Sequence, residues 1–433
     1  MSPARRRVLR ASAVALAALG GCSLFGSSPP AEDGPTATPP ASREPTTSEP
    51  TPTPEPTDTP DAQSLACGPG PLPSAGWPAI DRSGGRTSYV PDATGPAGDA
   101  TVEWSVTASE PEHGDVRFTR PLVADGRVYV GRQVRVGTEV PEPDRQYVHA
   151  YDAATGERRW RATFADAPTV SAIDDGVVFA HDGSVLAAFD AEAGEELWRH
   201  DAEGTIQSVL STGDGILVAS TRPDAEGLLA SLTRSGRRDW RRSVPAWMET
   251  DLAWVDGRAY YGTTDARLVS VATDGGEIAW TEPLRSGDDP ARMTLAVTPC
   301  AVFATVDRDL HAVRPSGETA WSVSAAVDEL ATDGARIYGA SNDGAVRVLA
   351  GDGTLDWEWA LGGDEEGHTV GLTDGIALGA ETVYAGTSDG SLVAVSAGGA
   401  QRWRLGQDWD DAAVSLVDDT LYVASADRLA AVG

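Results

Sequence analysis

The decapeptide Tyr151-Asp-Ala-Ala-Thr-Gly-Glu-Arg-Arg-Trp160 returns as Phe189-Asp-Ala-Glu-Ala-Gly-Glu-Glu-Leu-Trp198 and, more loosely, in five further places. In all seven copies a glycine stands four residues before a tryptophan: Gly156/Trp160, Gly194/Trp198, Gly236/Trp240, Gly276/Trp280, Gly317/Trp321, Gly353/Trp357 and Gly399/Trp403. The tryptophans follow one another at intervals of 36 to 46 residues, a period that belongs to repeat architectures with one small sheet per unit.

Within each unit the grammar is that of hairpins. Short runs such as Val128-Tyr-Val130, Val177-Val-Phe179 and Val383-Tyr-Ala385 are cut by Asp-Gly turns, among them Asp125-Gly126, Asp175-Gly176 and Ser388-Asp-Gly390. Gly accepts the positive φ of a tight turn and Asp bonds the following backbone N–H groups. A sheet of four such strands cannot bury both faces alone, so the units must stack, and a radial arrangement leaves only short edges. After Trp403 the chain supplies three more strand-like runs and ends without a Gly turn or a Trp. The absent fourth strand is available at the other end as Val102-Glu103-Trp104. The expected fold is therefore all-β: an eight-bladed β-propeller of four-stranded antiparallel blades, closed by pairing the N- and C-terminal strands. The tryptophans Trp104, Trp160, Trp198, Trp240, Trp280, Trp321, Trp357 and Trp403 are expected to pack blade against blade.

Ahead of the propeller, expected over 71–433, come two other segments. Residues 1–22 read as an export signal: Arg5-Arg6-Arg7 and Arg10 precede an apolar run too short to span a bilayer, in a twin-arginine-like context. Leu19-Gly20-Gly21-Cys22 resembles a lipobox, which makes Cys22 the expected lipidation site and anchors the chain at the outer face of the cell membrane. Residues 23–70 hold eleven Pro between Pro29 and Pro60 among Thr, Ser, Glu and Asp. Such a composition buries too little to fold, so a disordered, extended stalk is expected. Cys67 and Cys300 are candidates for a disulfide pinning stalk to domain, the alternative being two separate thiols.

Composition excludes some partners. The chain has 34 Arg, no Lys and 65 Asp plus Glu, a formal charge of −31. That surface repels nucleic acid and anionic lipid, and with Lys absent it points to a high-salt, GC-rich source.

The unit Val177-Val-Phe-Ala-His-Asp-Gly-Ser-Val-Leu-Ala-Ala-Phe-Asp-Ala-Glu-Ala-Gly-Glu-Glu-Leu-Trp198 resembles the repeat of pyrroloquinoline-quinone (PQQ)-type propellers, as does Val383–Val395. The resemblance covers roughly residues 77–433. It implies a fold shared by quinoprotein dehydrogenases and by non-catalytic lipoproteins of the BamB-like type. The dehydrogenases hold PQQ with a metal ion through Glu, Asn and Asp, with basic contacts, a stacking Trp and often a Cys pair. Here there is no Cys-Cys and no Lys, and the one Asn, Asn342, sits in an Asp-Gly turn. Trp77, Trp247, Trp254, Trp359 and Trp409 remain as candidate stacking floors. No His pair has zinc spacing, no calcium loop is complete, and no nucleophile elbow or phosphate cradle occurs.

No cofactor, metal or catalytic residue is therefore expected, PQQ with calcium being the alternative. The chain reads as a non-catalytic, lipid-anchored, monomeric interaction scaffold for an unidentified protein partner. A quinoprotein oxidoreductase, or a surface binder of sugar or peptide, is the alternative. In a propeller, second-to-third-strand loops and interblade connections share one face, and binding lives on long loops of rigid scaffolds. The long ones are 108–118, 132–146, 285–292, 362–373 and 407–411. They nominate Trp409, Arg132, Arg135, His113, Glu142, Asp364, Glu365, Glu366 and His368 as a recognition face.

Overall fold

The computed structural model describes residues 65–72, 76, 79–96, 98–108, 114–136, 146–222, 227–244, 248–287, 290–361, 370–406 and 409–433. The export signal, Cys22, most of the Pro-rich segment, Trp77 and Trp247 lie outside the described residues.

Eight antiparallel sheets form the blades of a β-propeller. Blades two to seven each run through four consecutive strands, as in Thr169–Asp174, Val177–His181, Val185–Asp190 and Glu196–Asp201 of blade two. Blade eight is assembled from both ends. Ala413–Val417, Thr420–Ser425 and Arg428–Val432 are joined by Val102–Thr107, whose Trp104 sits opposite Ala431. First strands of neighbouring blades touch one another from blade four round to blade eight, and from blade eight through blades one and two to blade three, so the two ends of the chain meet in the ring. Blade one exceeds the expectation of four strands. Its second strand runs on to Arg127–Val136 and takes Gly114–Phe118 as a fifth partner. Two segments expected as loops thus satisfy each other's backbone groups, as exposed main chain tends to do when two extended stretches meet.

The repeat tryptophan has a partner that explains its glycine. Each ring lies on the third-to-fourth-strand turn of the next blade: Trp104 on Gly156, Trp160 on Gly194, Trp198 on Gly236, and so on to Trp357 on Gly399. Apart from Trp357, the indole N–H donates to a carbonyl of that turn, from Trp104 to Ala153 at 2.9 Å, Trp160 to Ala191 at 3.0 Å and Trp198 to Arg234 at 2.8 Å. Second-strand tyrosines share the acceptor, Tyr129 donating to Ala191 at 3.1 Å and Tyr422 to Ala153 at 3.3 Å. In every blade the pairing register slips by one residue just before the Trp, as between Glu196 and Trp198 or Gln401 and Trp403. Such a bulge re-aims the following side chain, here onto the neighbouring blade.

At the seam the pattern needs a substitute, because blade eight has no third-to-fourth hairpin. Residues 93–96 supply it. Trp403 donates to Pro96 O at 2.8 Å and Tyr384 to Thr94 O at 2.8 Å.

The lead-in that precedes them is a strap across the ring. Ala79 bridges Ala172 of blade two, Gly84 O accepts from Trp254 of blade four and Gly85 O from Val297 of blade five. Thr87 O then accepts from Thr332 of blade six, Ser88 and Val90 bond Leu378 of blade seven, and Gly95 donates to Asp418 of blade eight. A segment bonded in turn to six blades crosses the axis, at the end where the first-to-second-strand turns emerge. It is held by an ionic cluster: Asp81 contacts Arg86 at 2.5 Å and Arg120, and Arg86 reaches Asp251 at 3.0 Å. Burial raises the Asp81 pKa, but Arg86 and Arg120 outweigh it and hold the carboxyl below its ordinary value. Before the crossing, Cys67 forms a disulfide with Cys300, Cα to Cα 6.2 Å.

Candidate functional site

Since the strap covers one end of the ring, the accessible non-repeating surface is the opposite end. Its second-to-third-strand loops and interblade connections vary in length from blade to blade. Of the nominated residues there, His113, Glu142, Asp364, Glu365, Glu366 and His368 lie outside the described residues, and of Arg135 only the backbone is described.

Trp409 is not on the exposed surface. It is 2 % exposed, packed in the main apolar cluster, with the Arg428 guanidinium 4.2 Å above its ring. Three nearby Asp suggested a wet loop, but a ring this large gains more from burial and from a cation on its face. Arg132 is also buried, on the wall of a cleft between blades eight and one.

The larger concavity was not foreseen as a site, although residues 285–292 were singled out as a long loop. It has a volume of about 700 Å3 and lies over blades four to six, with Glu249, Arg292, Asp307, Arg308, Asp328 and Asn342 in its wall. Asp307 and Arg308 form the tight second-to-third-strand turn of blade five without glycine, at φ 48° and 78°. Such backbone is costly for a side-chain-bearing residue and persists where surroundings over-determine it. Here the Arg308 guanidinium reaches Asp343 at 3.2 Å, Asp328 at 3.4 Å, Ser341 and Ala326 O at 3.3 Å. Asp328 also accepts from Ser341 and from the Asn342 N–H, both at 2.9 Å. Asp307 accepts from Arg285 and from the Arg292 N–H at 3.2 Å. Burial raises the Glu249 pKa, with Arg292 opposing.

PQQ does not fit this wall. Asp307, Asp328 and Arg308 are committed to side chains or backbone beside them, and no aromatic side chain is among the described lining residues. Trp254 packs on Gly84 of the strap, Trp359 on an apolar cluster and Trp409 under Arg428, so none is a floor for a planar cofactor. Among the described residues no group of three or more His, Cys, Asp and Glu is arranged to hold a metal ion.

Fold and surface together define a PQQ-repeat propeller with one capped end and one open, irregular end. The family model described as outer membrane protein assembly factor BamB matches residues 181–316 and 293–432, and the chain belongs to that family. A stretch of 157 residues, 34% of this chain, is 32% identical to the serine/threonine-protein kinase AfsK of Streptomyces coelicolor, covering 19% of it. Another of 155 residues, 31% of this chain, is 26% identical to BamB of Shewanella oneidensis, covering 39% of it. The chain thus spans well under half the length of these relatives. Among solved structures, BamB from Moraxella catarrhalis superposes with a TM-score of 0.58 at 19% identity, over 77% of this chain and 99% of that one. The quinohemoprotein alcohol dehydrogenase of Comamonas testosteroni gives 0.61 at 15% identity, over 83% and 80%. At these identities the likeness is one of fold.

Proposed function

We propose that this chain is a non-catalytic protein-interaction scaffold, exported and held at the outer face of the membrane by a lipid on Cys22. In this reading the Pro-rich segment is a spacer, and the open end of the propeller docks the partner. The observation that carries the reading is the 700 Å3 concavity over blades four to six. Its wall is wide and charged, and the charges of Asp307, Arg308 and Asp328 are spent on holding the wall rather than left poised for chemistry. An enzyme needs a group whose protonation or ligation is available to a substrate. A docking surface needs fixed shape and charge pattern. Membership of the BamB family supports the same reading. BamB is by name an outer membrane protein assembly factor, and the proposal here is the broader one of a surface scaffold.

The test is affinity capture from detergent-solubilised native membranes, comparing wild type with a variant whose residues 285–292 are replaced by a short Gly-Ser turn. A partner captured by wild type and lost from the variant is expected. Identical capture by both removes the open end as the docking surface.

A further inference from the structure

A second concavity is unlike the rest of the molecule in charge. The cleft between the outer strand of blade eight, Val102–Thr107, and blade one has a volume of about 290 Å3. Its polar wall is built by strand geometry. On the third strand of blade one, Gln146–Asp152, the residues Tyr147, His149 and Tyr151 alternate and so share one face. Each stands directly opposite an arginine: Tyr147 opposite Arg132 on the second strand, His149 opposite Arg161 and Tyr151 opposite Arg158 on the fourth. All six line the cleft. The bulge before Trp160 leaves Arg159 out of the register, and Arg159 turns to Asp152 at 2.6 Å.

In a chain with 65 acidic residues and 34 arginines, no Asp or Glu is among the described residues lining this cleft. Arg158 and Arg161 are exposed and form no ion pair with a described residue. The Arg161 guanidinium stacks 4.7 Å over the Tyr147 ring, which fixes its plane and turns its donors outward. Deeper in, His149 is 4 % exposed. Its Nδ1 is 2.6 Å from the Tyr151 hydroxyl, and its Nε2 is buried without a partner. Burial first, then Arg158, Arg132 and Arg161, lower the His149 pKa to about 3, so the ring is neutral; in the tautomer whose Nδ1 accepts from the Tyr151 hydroxyl, Nε2 carries the proton. Two exposed guanidiniums and, in that tautomer, a buried N–H donor with no partner among the described residues are the complement of a compact anion.

We infer that this cleft binds a small oxyanion with two or more negative charges, a di- or tricarboxylate or a phosphate. Arg158 and Arg161 would supply forked hydrogen bonds at its rim and His149 Nε2–H a donor at its floor. The volume suits a ligand of metabolite size, at the lower end of small-molecule pockets. The net charge of −31 opposes approach from afar, but at physiological salt that field is screened beyond about 8 Å. Among the described residues that line the cleft, the charged ones are the arginines. The inference does not depend on the scaffold reading, since a scaffold and an enzyme would each have use for such a site.

The experiment is isothermal titration of the purified full chain with inorganic phosphate and, separately, with citrate. Saturable binding of at least one is expected, weakened at least tenfold by Arg158→Gln and by Arg161→Gln. Both positions are exposed, so the variants should keep the wild-type thermal midpoint. Arg238→Gln, on the outer strand of blade three and paired with Glu203, should bind as wild type does. Which probe binds distinguishes carboxylate from phosphate recognition. No saturable binding of either up to on the order of 10 mM, equivalent to a free energy of about −3 kcal/mol, overturns the inference. So does unchanged affinity in the Arg158→Gln/Arg161→Gln double variant.

Discussion

Two glycines of blade two separate the cost of a turn from the cost of a contact. Gly176, in the first-to-second-strand turn, has φ +74°, and a Cβ there would meet nothing within 4 Å. Gly194, in the third-to-fourth-strand turn, has φ +71°, but a Cβ would lie 2.5 Å from Cδ2 and 2.7 Å from Cγ of Trp160 on the preceding blade. Gly176→Ala should therefore cost only the left-handed backbone penalty, about 1–2 kcal/mol. Gly194→Ala adds the strain of overpacking, typically about 1–3 kcal/mol, because Trp160 is held by its hydrogen bond to Ala191 and cannot simply withdraw. With a urea m-value of about 3 kcal/mol/M, the two variants should differ in unfolding midpoint by roughly 0.3–1 M. In a Trp160→Leu background, itself destabilised, Gly194→Ala should fall back to the cost of Gly176→Ala, a coupling that a double-mutant cycle reads directly. Equal midpoints for the two single variants would refute the claim that the glycine is required by the neighbouring indole.

Three other outcomes follow from the strap and the cleft. Asp81→Asn removes the carboxylate that Arg86 and Arg120 share, while Arg86 keeps Asp251, and should cost about 3 kcal/mol in urea unfolding, the lower end for breaking a buried ion pair. Because the Asp81 pKa is depressed in the fold, its contribution is present above the unfolded carboxylate value and is lost as pH falls through the folded one, a dependence the variant should lack. Reduction of the Cys67–Cys300 disulfide, which spans 233 residues, should lower the thermal midpoint by the equivalent of about 3–5 kcal/mol, and Cys300→Ser should be insensitive to reductant. His149 stays neutral in the fold down to about pH 3, whereas in the unfolded chain it takes a proton near 6.5. Stability should accordingly rise with pH across that window, and His149→Gln should flatten the slope.

The ring was legible because its determinants are local and repeat. Asp125-Gly126, Asp175-Gly176 and Asp256-Gly257 all have two successive positive φ values, the turn that the dipeptide announces. The missing glycine before Trp104 located the seam. What the repeat could not display is anything that happens once. The strap has no periodicity, since it crosses many blades and pairs with each through the backbone, which leaves no side-chain signature. The bulge before each Trp adds a residue without changing residue type. Trp409 looked exposed from its three acidic neighbours, and only the distant Arg428 reveals its cover. The cleft was half visible: Tyr147, His149 and Tyr151 alternate in the sequence, but Arg158 and Arg161 share their face only because the bulge falls between them.

In the proposed function the open end of the propeller, and not its strapped end, meets a partner protein. Photo-crosslinking in native membranes tests it most directly. A photoreactive residue at Asp166 or Ser286, exposed on the open end, is compared with one at Asp125 or Asp175, exposed in turns of the strapped end. A discrete protein adduct is expected from the first pair and none from the second. Adducts from the strapped end alone, or from both ends alike, would contradict the proposal.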